Sequence, residues 1–217
     1  MRNNYAKQLE DLKKELILMG SLCENMLKDA LDAFEQNDDT KASVIAESDD
    51  KIDNKESEIE ALCLSLILHQ QPVASDLRLI SSSFKIITDL ERIGDQACDI
   101  AEIALRLKYE DNENFKELSE MAKQTQKMFK EAIDSFVKLD IKTAKNVLDQ
   151  DDIVDEHFVN MRSRLISLIE KNDHEARIPL DLLLIAKYLE RIADHSCNVA
   201  NWIIFAITGH HSSGEII

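Results

Sequence analysis

The chain has 217 residues, a length that suits one large domain or two small ones. It contains only four glycines and two prolines, which leaves few residues for the turns of a strand-rich fold and predicts an all-α protein. Its formal net charge of −16 argues against a nucleic-acid partner, because phosphate backbones are bound by clustered lysine and arginine.

Three helices are predicted in the first half of the chain. Apolar residues at spacings of three and four indicate a first helix over 5–36 and a second over 40–69. A third helix extends from about 76 to 108. Residues able to cap the second and third helices stand at 39–40 and 75–76. Because the connections are short, consecutive helices are antiparallel and form one bundle.

Three further helices are predicted in the second half. They follow a polar break at 111–114 and cover about 121–136, 141–170 and 180–207. Pro179 stands near the start of the last helix, where it either occupies the N1 position or causes a kink.

The two halves of the chain repeat each other. LERIGDQACDIA at 90–101 matches LERIADHSCNVA at 189–200 with an offset of 99, and seven of the twelve positions are identical. Segments of the middle helices, 49–53 and 151–155, align with an offset of 102. The repeat predicts two similar domains and a short tail: 1–110, 111–209 and 210–217.

Acidic residues form a second stripe on the repeated helix, away from the apolar one. In the first copy they are Glu91, Asp95, Asp99 and Glu102. Their spacings of four, four and three place them on one helical face. Like charges at this spacing repel one another, so we expect Arg92, solvent or a metal ion to lie against them.

A second acidic pair lies on the middle helix of each half, Asp49 with Asp53 and Asp151 with Asp155. If the middle and last helices of a bundle pack side by side, these pairs face the acidic stripe and supply oxygen ligands to hard cations. The alternative is a solvated face on which the arginine of each repeat pairs with neighbouring acids.

The four cysteines have no CxxC spacing and each belongs to a helical pattern, so we expect reduced, packed thiols. No signal-peptide pattern and no run of about 20 apolar residues is present, so we expect a cytoplasmic protein. Disulfides are rare in that compartment.

The chain resembles the PhoU family of regulators of phosphate-specific transport. The resemblance covers Leu9 to about Thr208. In one departure, Ala193 stands where the first copy has Gly94 and where the family usually keeps glycine. The resemblance is carried by LERIGD at 90–95, LERIAD at 189–194, QQPVASDLRLI at 70–80, and the Asp-xx-Ile/Val-Asp segments at 50–53 and 152–155.

For the structure, the resemblance implies two tandem three-helix bundles related by a pseudo-twofold axis. It also implies multinuclear metal clusters held by E(D)xxxD pairs, with iron, zinc or another divalent cation as the metal. The implied ligands, with Asp99 added from the same stripe, are Asp49, Asp53, Glu91, Asp95, Asp99, Asp151, Asp155, Glu190 and Asp194.

For function, the resemblance implies a cytoplasmic adaptor and no bond chemistry. The adaptor would couple the ATPase component of the phosphate ABC transporter to a phosphate-sensing histidine kinase. It would act as a negative regulator that keeps the phosphate-starvation response off when phosphate is plentiful. A homodimer is expected, and membrane association only through these partners.

Two other classes of function remain open. A carboxylate-bridged di-metal enzyme of the ferritin-like type uses Glu-x-x-His ligands, whereas Glu91 and Glu190 are followed at that spacing by Gly94 and Ala193. A purely structural dimerisation bundle would bind no ion. Walker loops, nucleophile elbows and zinc-protease helices are absent from the sequence, so we predict no catalytic residues.

The acidic stripe differs in charge between the two halves. Asp99 and Glu102 of the first copy correspond to Asn198 and Asn201 of the second. Amides bring no charge, and affinity for hard cations rises with the number of anionic ligands. We therefore expect the second half to bind its ions less tightly, or to bind fewer.

Overall fold

The computed structural model describes residues 2–70, 72–110, 112–171 and 176–210. Every regular element in these ranges is an α-helix, as the composition predicts, and none combines the length and hydropathy needed to span a bilayer. The helices are α1 (Arg2–Gln36), α2 (Asp39–Ala46), α3 (Asp50–Gln70), α4 (Ala74–Ala104), α5 (Glu113–Lys138), α6 (Ile141–Lys171) and α7 (Arg177–Thr208).

The helices pack as two bundles, which confirms the predicted fold class. In the first bundle, α1 and α4 pack against each other and against both α2 and α3. In the second, α5, α6 and α7 pack against one another. Contacts of α4 with α7 and of α1 with α5 join the bundles, and the buried apolar side chains form one core. Apart from His210, the predicted tail lies outside the described residues.

Equivalent contacts in the two bundles show the internal repeat in three dimensions. The thiol of Cys23 donates to the carbonyl of Leu90 at 3.2 Å. At the matching positions, the hydroxyl of Thr125 donates to the carbonyl of Leu189 at 3.4 Å. In both bundles the first helix is therefore tied to the last helix at the same register.

The contact between α4 and α7 has the symmetry that the repeat predicts. The amide of Asn198 donates to Asp89 at 3.1 Å, and Tyr188 hydrogen-bonds with Asp99. At the offset of 99, position 89 corresponds to 188 and position 99 to 198. The two hydrogen bonds therefore join the same two positions of the repeat, with α4 and α7 in opposite roles. A pseudo-twofold axis between α4 and α7 produces this relation. His195 adds a contact at 2.8 Å from its Nδ1 to Asp89.

The middle helix of the first bundle is interrupted, so the prediction of one helix over 40–69 was wrong. Ser48 is buried, and both its N–H and its hydroxyl donate to the carbonyl of Ile45, at 3.0 and 2.8 Å. Asp49 accepts from the N–H of Asp50 at 2.9 Å, where α3 begins. Short polar side chains compete in this way with the helical hydrogen bonds, and here they end α2.

The matching stretch of α6 continues without a break, and Gln150 stands there in place of Ser48. Its side-chain amide donates to Glu131 of α5 at 2.6 Å and to the carbonyl of Asn146, one turn back in α6, at 3.1 Å. It also accepts from Gln124 at 3.1 Å. Gln150 thus bonds to the neighbouring helix, and the single helix predicted over 141–170 is confirmed.

Several helix ends differ from the prediction because of local capping. Asn112 accepts from the N–H groups of Asn114 and Phe115 at 3.0 and 3.4 Å, so α5 begins at 113 instead of about 121. Asp38 caps α2 by accepting from the N–H of Lys41 at 3.0 Å, one residue before the predicted cap. α4 begins at 74 without a side-chain cap.

Pro179 is the third residue of α7, so it lies in the first turn but not at the N1 position that one alternative gave it. The N–H groups of a first turn have no partner inside the helix, and a proline there removes no helical hydrogen bond. Pro179 is buried.

The exchange of Gly94 for Ala193 has a packing explanation. A Cβ atom added at Gly94 would lie 3.0 Å from Cγ1 of Ile52, which is closer than ordinary contact. In the second bundle, alanine at 193 corresponds to glycine at 94, and Val154 corresponds to Ile52. One side chain gains a carbon where the other loses one, so the summed volume is conserved in the repeat.

Candidate metal centre

Three predicted ligands of the first bundle lie together. Asp53 comes from α3, and Glu91 and Asp95 come from successive turns of α4, which packs beside α3 as expected. One carboxylate oxygen of each lies within 4.8 Å of the others. Among the described residues, no other group of three acidic, histidine or cysteine side chains comes this close. We call these three residues the acidic cluster.

Glu91 lies at the buried end of the acidic cluster. Burial, reinforced by the charge of Asp95, raises the pKa of Glu91 from 4.5 to about 7. Its Oε2 atom is buried and has no hydrogen-bond partner. The Nε of Arg92 lies 3.2 Å from this atom but without the geometry of a hydrogen bond, and the Arg92 side chain is 52% exposed. One exposed arginine therefore offsets only part of the negative charge.

Asp95 shows the same imbalance. Burial raises the pKa of its carboxyl group, Asp53 raises it further, and Arg92, 3.3 Å away, opposes the shift. The pairing of arginine with neighbouring acids is thus real in this bundle. Arg92 pairs with two of the three carboxylates, and none of the ion pairs found among the described residues involves Asp53.

Glu56 borders the acidic cluster and was not predicted from the sequence. It accepts a hydrogen bond from the hydroxyl of Thr88 at 3.2 Å, and its charge contributes to the raised pKa of Glu91. The signal was present: Glu56 follows Asp53 by three residues, which places both on one face of α3.

Two other predicted ligands lie outside the acidic cluster. Asp49 is at the break between α2 and α3, where its side chain bonds to the backbone. Asp99 lies one turn beyond Asp95 and hydrogen-bonds with Tyr188 of α7. Burial raises the pKa of Asp99, and this hydrogen bond and the charge of Arg191 oppose the shift. Asp99 thus belongs to the contact between the bundles.

The acidic cluster has the chemistry of a site for a hard cation. Divalent ions such as Mg²⁺ and Ca²⁺, and several transition metals, bind carboxylate oxygens from more than one helix. Oε2 of Glu91 has no hydrogen-bond partner, and the half-exposed Arg92 beside it supplies only part of the compensation that a buried carboxylate requires. The residues present therefore fit a bound cation.

The second bundle places its four predicted ligands on equivalent helices, with a different outcome. Asp151 and Asp155 come from α6, and Glu190 and Asp194 come from α7. They do not form a close group of three among the described residues. Burial raises the pKa of Asp151, followed by the charge of Asp194, and a hydrogen bond from the thiol of Cys197 opposes the shift.

Lys187 distinguishes the acidic residues of the two bundles. We call Asp49, Asp53, Glu91 and Asp95 the first acidic strip and the matching Asp151, Asp155, Glu190 and Asp194 the second acidic strip. The ammonium group of Lys187 forms an ion pair and hydrogen bond with Oε2 of Glu190. It also lies 5.3 Å from the ring centroid of Phe158, a cation–π distance. Burial raises the pKa of Asp194, and Lys187 is among the charges that oppose this shift.

Neither Lys187 nor Phe158 was predicted to affect the site. They correspond to Thr88 at an offset of 99 and to Glu56 at an offset of 102. Extending the alignment of the repeats beyond the acidic residues would have found both differences.

A cleft of about 470 Å³ lies between α1 and α5, two helices that carry no predicted ligand. Two acidic residues, Glu24 and Asp32, line the cleft together with four lysines. Nζ of Lys130 lies 3.9 Å from Oε1 of Glu24. The cleft gives an otherwise acidic protein a surface that attracts anionic groups. Four lysines line it: Lys28, Lys123, Lys127 and Lys130.

Comparison with known sequences finds one family twice in the chain. A family model described as "PhoU domain" matches residues 16–104 and again 118–203. The chain is 38% identical over 210 residues to the "phosphate-specific transport system accessory protein PhoU homolog" of Clostridium acetobutylicum, covering 96% of each sequence. It is 34% identical over 207 residues to the protein of the same description from Pseudomonas aeruginosa, covering 94% of this chain and 86% of that one.

Solved structures give the same result. The crystal structure of PhoU from Pseudomonas aeruginosa superposes with a TM-score of 0.90 at 34% identity, covering 94% of this chain and 99% of that one. The phosphate transport system regulatory protein PhoU from Streptococcus pneumoniae superposes with a TM-score of 0.87 at 27% identity, covering 95% and 98%.

Proposed function

The chain belongs to the PhoU family, and from that premise we propose that it is an accessory protein of a phosphate-specific transport system and regulates phosphate uptake. The observation that carries the proposal is the double family match over 16–104 and 118–203, together with 38% identity along 96% of a named accessory protein. The two matched segments coincide with the two bundles.

The proposal has a more specific part. The protein acts in the cytoplasm as a homodimeric adaptor between the transporter's ATPase component and a phosphate-sensing histidine kinase, and it represses the starvation response. An adaptor works by contact alone, which agrees with a sequence that carries no catalytic motif. The lysine-lined cleft and the acidic strips are surfaces of opposite charge, and such surfaces steer and orient partners.

Metal binding is the second part of the proposal. We assign a divalent cation to the acidic cluster of Asp53, Glu91 and Asp95, with Glu56 at its border. The support is the short distance among three carboxylates and the unpartnered buried oxygen of Glu91. A cation there offsets the repulsion that the folded protein otherwise bears.

The regulatory role is tested by deleting the gene in the source organism and measuring a phosphate-starvation reporter in phosphate-rich medium. We expect the reporter to be on in the deletion strain and off again when the wild-type gene is restored. Normal repression in the deletion strain would exclude the regulatory role.

The partners are tested by affinity capture from membranes prepared at high and low phosphate. We expect the tagged protein to retain the transporter's ATPase component and the histidine kinase, with amounts that depend on phosphate. The same tag on an unrelated acidic helical protein is the control, and equal recovery from both baits would contradict the adaptor proposal.

Metal binding is tested by replacing Glu91 with glutamine and Asp95 with asparagine. The purified protein should contain less metal by elemental mass spectrometry and keep its helical circular dichroism, because both carboxylates lie outside the apolar core. Asp49→Asn is the matched control, since Asp49 lies outside the acidic cluster and should leave the metal content unchanged. Loss of helicity in the double variant would show that the strip is structural.

A further inference from the structure

We propose that the ammonium group of Lys187 takes the place of a metal ion in the second acidic strip. The second bundle therefore does not bind the metal that the first bundle binds. The part that concerns metal rests on the metal binding proposed above. The part that concerns Lys187 rests on its own contacts.

The two strips are matched in burial, so burial does not explain their difference. Glu91 and Glu190 occupy equivalent positions, and each side chain is 15% exposed. In the first bundle the Oε2 atom of the glutamate is buried without a hydrogen-bond partner. In the second bundle the same atom receives the ammonium group of Lys187. What differs is the positive partner: Glu91 has the half-exposed Arg92, 3.2 Å away without the geometry of a hydrogen bond, whereas Glu190 has a hydrogen-bonded lysine.

The position of Lys187 follows from simple helix geometry. It precedes Glu190 by three residues on α7, so the two side chains lie on neighbouring turns of one face. The equivalent residue of the first bundle, Thr88, carries no charge and donates to Glu56. A lysine at this position can reach the glutamate, whereas a threonine cannot neutralise it.

Phe158 is the second residue that distinguishes the second strip from the first. It replaces the carboxylate that Glu56 supplies at the border of the acidic cluster, and its ring lies 5.3 Å from the ammonium of Lys187. At this position the second strip therefore has, in place of a carboxylate, an aromatic face that favours the ammonium group. A divalent ion would meet repulsion from Lys187 and no anionic ligand at this position.

The test exchanges these two residues between the bundles. One variant carries Lys187→Thr with Phe158→Glu, and the reciprocal variant carries Thr88→Lys with Glu56→Phe. Each tag-free protein is equilibrated with excess Mn²⁺ and desalted, and bound manganese per chain is measured by native and elemental mass spectrometry. Lys187→Arg with native Phe158 is the control that keeps the charge.

We expect wild type and Lys187→Arg to carry metal in the first bundle only. The second-bundle exchange should add metal, and the first-bundle exchange should remove it. The inference would be overturned if the Glu91→Gln, Asp95→Asn double variant kept half or more of the manganese that the wild-type protein binds. So would a second-bundle exchange that adds none.

A measurement without metal separates this inference from the metal proposal. In excess chelator, Thr88→Lys should raise the melting temperature by supplying a cation to Glu91, and Lys187→Thr should lower it by removing one from Glu190. If wild-type protein binds no manganese, the metal proposal fails, while these two opposite shifts would still support Lys187 as the cation of its strip. Shifts that are absent or equal in sign would reject that role.

Discussion

The two bundles share their cores and differ on their acidic strips. Leu90 and Leu189 are both fully buried, and equivalent hydrogen bonds tie the first helix of each bundle to their carbonyl groups. Outside the core, Thr88 and Lys187 occupy the same position with different charge. Packing therefore fixes the apolar positions of the repeat, because a core tolerates little change in volume. The partly exposed strip is free to change its charge, and with it the ion that it attracts.

The largest change in stability is expected in the cores, where the two bundles should behave alike. Leu90→Ala and Leu189→Ala each leave a cavity in the core, and we expect each to lower the free energy of unfolding by about 2–5 kcal/mol. Urea denaturation followed by circular dichroism measures both. If one variant cost less than 1 kcal/mol and the other more than about 3, the claim of equivalent cores would fail.

A smaller effect is expected from exchanging the packing at Gly94. Gly94→Ala places a Cβ atom 3.0 Å from Cγ1 of Ile52, and overpacking of this kind costs about 1–3 kcal/mol. Adding Ile52→Val copies the second bundle. It deletes Cδ1 but keeps the three atoms that the new Cβ would meet, Cγ1, Cγ2 and Cβ, so it should recover only part of the loss, through the greater freedom of the shorter side chain to shift. A double variant that is no more stable than Gly94→Ala, in the same urea experiment, would show that the two positions are not coupled.

The third prediction concerns pH in the metal-free protein. The pKa of Glu91 is about 7 in the folded protein against an ordinary 4.5, so between these values the folded protein holds a proton that the unfolded chain has lost. Stability therefore falls as pH rises through this window, and it is highest below 4.5 as far as this group is concerned. Glu91→Gln removes that contribution.

This pH effect is measured from melting temperatures between pH 4.5 and 8 in chelator. Because the strip is partly exposed and screened by solvent, we expect Glu91→Gln to reduce the fall by about 1 kcal/mol. Asp95, Asp151 and Asp194 also have raised pKa values, so some slope should remain. An unchanged pH profile in the variant would contradict the assignment of this window to Glu91.

The smallest change in stability is expected when Glu190 or Glu91 is replaced by glutamine, measured at pH 8 in chelator. Glu190→Gln breaks the ion pair with Lys187 and should lower stability by about 0.5 kcal/mol, a value typical of partly exposed pairs. Glu91→Gln removes a charge that Arg92 offsets only in part and should raise stability. The melting temperatures of the two variants should therefore move in opposite directions, and movement in the same direction would remove the contrast between the strips.

Much of this structure could be predicted from the sequence, because helix periodicity and the repeat are both properties of the chain itself. The break between α2 and α3 could not be read from periodicity, since Ile45 and Ile52 both fit an uninterrupted apolar stripe. The local signal was the run of Ser48, Asp49 and Asp50, short polar residues that favour a helix start over a helix interior.

The candidate site was predictable in part for a related reason. Asp53, Glu91 and Asp95 were found from spacings within single helices, and the packing of α3 beside α4 brings them together. Glu56, Lys187 and Phe158 act across or beside those pairs, and spacing among acidic residues does not reveal a lysine or a phenylalanine. Asp49 and Asp99 fit the pattern but bond elsewhere, because the helix break and the contact with α7 decide where their side chains go.

The break after Ala46 also bears on motion. α2 has only eight residues, and an isolated helix of that length does not persist in water, so α2 depends on its packing against α1 and α4. It can open to solvent without disturbing α3, whereas the matching turns of α6 open only with a much longer helix. Backbone amides at 43–46 should therefore exchange with deuterium faster than those at 145–148. The two repeats should then differ in local stability as well as in charge.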